Sequence, residues 1–103
     1  MLNPVRGEVA ITLNGEARAM RLTLGALAGL EARLECRSLV ALAEKFEAGE
    51  VSASELIALI AAGLTGAGRP TEEAEVAAAE IDGGAVGAMR AGMALISAAF
   101  RVE

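Results

Sequence analysis

The first quarter of the chain is patterned as β-ribbon and almost everything after it as helix, and that contrast constrains the fold more than any other feature. Val9, Ile11 and Leu13 alternate with Ala10 and Thr12, and Met20 and Leu22 alternate with Ala19 and Arg21, as a half-buried ribbon requires. Asn14-Gly15 between the two runs supplies the positive φ angles of a tight type I′ turn. A lone hairpin is only marginally stable in water, so this one must lie on helices or pair with another chain. With 103 residues the chain is long enough for one domain and a modest core. The expected fold is therefore α+β: a single domain over 1–103, with an N-terminal β-hairpin (7–22) packed on a small bundle of four to five α-helices (24–101).

The helices announce themselves by their ends. Thr23 stands at an N-cap, and Leu24, Leu27, Leu30 and Leu34 follow on one face at three- and four-residue steps. Gly25 and Gly29 lie four apart on another face, either where a neighbouring backbone approaches closely or as tolerated exposed positions. Ser38 caps a second helix with Leu39, Leu42 and Phe46 as its buried row and Gly49 as its stop. Ser52-Ala53-Ser54-Glu55 has the spacing of a capping box, which predicts a third helix from about 53 to 64 with Leu56, Leu59, Ile60 and Gly63 or Leu64 inward. Thr71 is the expected cap of a short fourth helix with Glu72, Glu73 and Glu75 in its first turn, where the helix dipole favours negative charge. Asp82-Gly83-Gly84 leads into a last helix from about 84 to 101. There Val86, Met89, Met93, Ile96 and Phe100 recur as a seam among small residues. That seam either completes the domain's own core or serves as an adaptable partner surface, a role that suits methionine.

Composition removes most chemistry. His, Trp and Tyr are absent, which takes away the commonest general base and metal ligand and the usual platforms for stacking bases. A net charge of -5 with nine scattered basic residues argues against nucleic acid. Cys36 stands alone, without a His to activate it, and reads as a small apolar residue. The glycines of Gly63-Leu64-Thr65-Gly66-Ala67-Gly68 lack the Lys-Ser/Thr of a phosphate-binding loop and read as a helix end and loop. The acids of the fourth helix are splayed by helical spacing, so no metal or acid/base site is expected from them. No catalytic, cofactor-binding or metal-binding residues are assigned. The N-terminus has no secretory pattern, and the longest apolar run, Ala85 to Phe100, is short for a bilayer span and carries Arg90. The expectation is a cytoplasmic, noncatalytic protein that binds neither membrane nor cofactor.

Asn3-Pro4, Arg6-Gly7-Glu8-Val9, the Asn14-Gly15 hairpin, Leu24 with Ala26-Leu27 and Leu30-Glu31, and Gly63 to Gly68 occur in one order along the chain. In this the sequence resembles the small tail proteins of bacterial gene transfer agents and related phages, grouped with phage tail assembly chaperones. The resemblance implies a role in building a phage-like tail, with the tape-measure protein and/or the major tail protein as partners, self-association as a further possibility, and either the cytoplasm or a virion-like particle tail as location. It also leaves open whether the protein is a chaperone or a structural, tube-associated component. A tube lining needs a broad sheet and one hairpin supplies two strands, which favours the assembly role; an unrelated small helical regulator is the alternative. Two docking elements suit such partners: the hairpin, through its strand edges and Arg6, Arg18 and Arg21, and the terminal seam of Val86, Met89, Met93, Ile96 and Phe100.

Overall fold

The computed structural model describes residues 7–34 and 38–101, with the side chain of Arg101 excepted. Its elements run β1 (Val9–Leu13), β2 (Glu16–Met20), α1 (Leu24–Arg33), α2 (Leu39–Ala48), α3 (Ala53–Gly66), α4 (Glu73–Ala78) and α5 (Gly84–Arg101). This is the expected α+β arrangement of a hairpin followed by five helices. β1 and β2 are antiparallel with Val9 opposite Met20 and Leu13 opposite Glu16, and the turn between them has φ of 53° at Asn14 and 78° at Gly15. Ile11, Leu13 and Met20 go into the core from one face, and Arg18 and Glu16 complete that face toward the turn.

Local chemistry sets the helix boundaries. Thr23 Oγ1 accepts from Ala26 N at 3.0 Å and Ser38 Oγ from Ala41 N at 3.1 Å, each satisfying a first-turn donor of its helix. Ser52 and Glu55 form the full capping box at the start of α3, with Ser52 N donating to Glu55 Oε1 at 2.9 Å and Glu55 N to Ser52 Oγ at 3.1 Å. α2 stops at Gly49 in the left-handed region. One boundary moves: Glu72, not Thr71, is the N-cap of α4. Thr71 is engaged elsewhere, its N donating to Thr65 Oγ1 at 3.1 Å and its hydroxyl to Arg69 O at 2.7 Å.

α3 is the central element, with Ala58, Leu59, Ile60, Ala61, Gly63 and Leu64 all buried; α1, α4, α5 and the hairpin pack around it. Its C-terminal end meets the hairpin backbone to backbone. Arg21 N donates to Gly63 O at 2.8 Å, and a Cβ placed on Gly66 would lie 2.0 Å from Arg21 O, so only glycine permits this approach. α5 crosses below, sealing Leu95 and Ile96 against the centre. Its Gly92 leaves room for the Phe46 ring and the Leu56 side chain. Beyond these contacts α2 is tied to α3 through an ion pair between Lys45 and Glu55.

Candidate protein-interaction surfaces

Of the hairpin arginines, the two described ones, Arg18 and Arg21, do not come together as a basic patch. Arg6 lies outside the described residues. Arg18 extends along the core-facing side of β2 and donates from Nε (3.2 Å) and Nη2 (2.9 Å) to Glu16 Oε1. Glu16 also meets Arg69 Nη2 at 3.8 Å, and the hydrogen bond from Arg18, then the Arg18 and Arg69 charges, hold its carboxyl below the ordinary carboxylate range. Arg21 is half-buried at the α3 junction.

Each hairpin edge is closed along part of its length. Ile81 forms a bridge with Leu13 on the outer side of β1. Asn14 N donates to Glu80 O (2.7 Å), Asp82 N to Thr12 O (3.1 Å) and Glu80 N to Asn14 Oδ1 (2.9 Å), so the segment before α5 clasps the hairpin tip. β2 is closed at its far end by the Arg21–Gly63 bond. What remains open is the stretch of β2 between turn and junction, and β1 around Ala10.

The α5 seam divides along its length. Ile96 is 2% exposed, Met89 and Met93 are half-buried against the core, and Val86 and Phe100 at the two ends are 65% and 53% exposed. The buried face of α5 is centred on Ala88, Gly92, Leu95 and Ile96. Sequence periodicity does not pick out Leu95 or Gly92, because the spacing of large residues does not show where a neighbour's ring needs space. The bulk of Phe46, in a chain with one other aromatic, was the available signal.

A feature absent from the sequence reading is a groove of about 540 Å³ between α1 and α3. Gly25, Ala26 and Gly29 form one wall, Ala58, Ala61 and Ala62 the floor, and the Thr71–Glu73 segment the other side. Among the described residues, and apart from its own helix turn, nothing lies within 4 Å of a Cβ built on Gly29, and one built on Gly25 would meet only Thr23 Oγ1 at 3.9 Å; no neighbouring backbone approaches either glycine, and their lack of side chains keeps the groove wide. Arg33 reaches across one end, donating to Glu73 Oε2 (3.0 Å) and Oε1 (3.1 Å) and to Ser54 Oγ (3.0 Å). Leu24, next to the groove wall in sequence, is 86% exposed.

The three acids near α4 go separate ways: Glu73 is held by Arg33, and Glu75 Oε1 accepts from Glu72 N at 2.9 Å. Among the described residues no three His, Cys, Asp or Glu side chains come together as a metal cage, and no helix is long and apolar enough to cross a membrane. Cys36 lies outside the described residues.

Comparison with known proteins gives one family match: a family model described as "Phage tail tube protein, GTA-gp10" aligns with residues 6–102. No curated protein and no solved structure matches the chain.

Proposed function

The chain belongs to the phage tail tube protein, GTA-gp10, family, and on that premise we propose that it is a noncatalytic tail-assembly protein that holds the tape-measure protein or the tail-tube protein during tail construction. The observation that carries this reading is apolar surface left open after the core is complete. The groove between α1 and α3 is floored by alanines, and Leu24, Val86 and Phe100 stand largely in solvent. Grooves with small-residue floors suit the larger apolar side chains of an amphipathic helix, the kind of segment a tape-measure protein presents. Val86, Met89, Met93 and Phe100 offer a second strip along α5 for the same class of partner.

Co-expression with the neighbouring tail genes tests it. The protein should keep the tape-measure or tube protein soluble and co-purify with it. Gly29→Leu, which fills the groove where the chain's own atoms leave space, should abolish retention while the domain stays folded. Retention of neither partner by the unmodified protein ends the proposal. The family's description favours a second reading, a structural component of the tail. Quantitative mass spectrometry of purified particles separates the two: a structural component is present in fixed stoichiometry with the major tail protein, whereas a chaperone is absent from finished particles.

A further inference from the structure

We propose that two copies of this chain pair through the open edge of β2, antiparallel about a twofold axis at Ala17, to form a four-stranded sheet. The inference stands independently of the assembly role.

The backbone defines the edge. Arg21 N donates away from β1 to Gly63 O, and on the other strand Thr12 O accepts away from β2. Alternation along the ladder then turns the N–H and C=O groups of Ala17 and Ala19 outward from the hairpin. Neither residue bonds these groups to any described residue. Glu16 and Ala17 are exposed, and Ala19 is half-buried. A short run of strand backbone that no described residue pairs therefore lies open between the turn and the α3 junction, and such runs are templates for another strand.

Charge selects the occupant and the register. Outward groups can pair only with outward groups, so a twofold through this edge must centre on residue 16, 17, 18 or 19. Centring on 19 would require the Arg21 backbone that Gly63 already occupies. Centring on 16 opposes Glu16 to itself, and centring on 18 opposes Arg18 to itself, both unfavourable. Centring on 17 sets Glu16 of each copy directly opposite Arg18 of the other, in a non-hydrogen-bonded pair where side chains come closest. The twofold makes that complementary contact twice, on the core-facing side where Arg18 already lies. A single inward charge on an edge strand blocks pairing; two opposite charges spaced two residues apart permit one self-complementary pairing and penalise the alternatives.

Sedimentation equilibrium over a range of concentrations, with circular dichroism to monitor folding, tests this. The unmodified protein should show a monomer–dimer equilibrium that weakens with added salt. Ala17→Pro removes an outward N–H without touching the inner ladder and should return the protein to monomer. Glu16→Arg and Arg18→Glu each place like charges opposite one another and should weaken self-association about tenfold or more. Mixed together, these two variants should form a one-to-one heterodimer. If Ala17→Pro disturbs folding, the charge variants decide alone. A protein that stays monomeric at every concentration, or whose dimer is unaffected by the charge variants, overturns the proposal, as does a mixture that yields no heterodimer.

Discussion

Gly92→Ala should change the sign of its effect according to what stands at position 46. In the native chain the new methyl would lie 2.9 Å from Leu56 Cδ1, 3.1 Å from Phe46 Cζ and 3.2 Å from Phe46 Cε1. The leucine methyl is the end of a flexible side chain and can turn aside. The Phe46 ring of α2 is 5% exposed and lies against Gly92 of α5, so it has little room to yield. Overpacking of this kind costs about 1–3 kcal/mol, while replacing a mid-helix glycine by alanine returns about 0.5–1 kcal/mol. The net expectation is a loss of about 1 kcal/mol, read as a lower midpoint in urea unfolding followed by circular dichroism. Phe46→Leu deletes Cζ and Cε1 and with them most of the clash. In that background Gly92→Ala should be neutral to stabilising by about 0.5 kcal/mol, giving a coupling of about 1–1.5 kcal/mol in the double-mutant cycle. An additive cycle, or a stabilising Gly92→Ala in the native background, would refute the claim that the ring over Gly92 fixes how α5 packs.

Gly66→Ala drives a methyl into the Arg21 carbonyl, where neither backbone can move, and should cost about 3 kcal/mol, measured by thermal or urea unfolding. Asn14→Gly keeps the turn but loses the hydrogen bond from Glu80 N, for about 1 kcal/mol; Asn14→Ala adds the strain of a left-handed non-glycine residue and should cost roughly 1 kcal/mol more. The hydrogen bond from Lys45, then that from Ser52 N, holds the Glu55 carboxyl below its ordinary value near 4.5. A depressed folded value means stability present above pH 4.5 and lost as pH falls through the lower, folded one. Glu55→Gln should flatten that part of the stability profile, and an unchanged acid limb would contradict the assignment. Val86→Glu and Phe100→Glu, at exposed positions, should leave stability within about 0.5 kcal/mol and impair partner retention if the α5 strip is a docking surface.

Features encoded within a few residues were legible in the sequence. Ser38, Gly49 and the Ser52/Glu55 box place their helix ends because the groups they satisfy are next to them in the chain. Thr71 misled for the opposite reason: its partners, Thr65 and Arg69, belong to the preceding helix end, so the cap fell to Glu72. The hairpin was legible as an element, but its clasp by Glu80 and Asp82 was not, since nothing in those residues specifies a partner so distant in the chain. On α5, periodicity finds a stripe of large side chains and leaves open whether it faces the core or a partner. The buried face is set instead by where Phe46 and Leu56 need a glycine, leaving Val86 and Phe100 outside. The groove between α1 and α3 is made of what is missing at Gly25 and Gly29, and a gap becomes visible only when both walls are in place.

The clasp at the hairpin tip has a consequence for the order in which the protein is made. Glu80 N reaches Asn14 Oδ1 across 66 residues of chain, and the bond from Asp82 to Thr12 closes a similar span. During synthesis the hairpin emerges before the elements that close it: its apolar face has no cover until α3 is out, and its β1 edge none until residues 80–82 follow. In that interval it is a ribbon with both sides exposed, the state in which strands are most prone to pair with the wrong neighbour. Closure waits on a partner 66 residues further along, so the segment between α4 and α5 works as a late latch. Nascent chains stalled before residue 80 should bind a ribosome-associated chaperone that chains with the clasp closed on β1 do not.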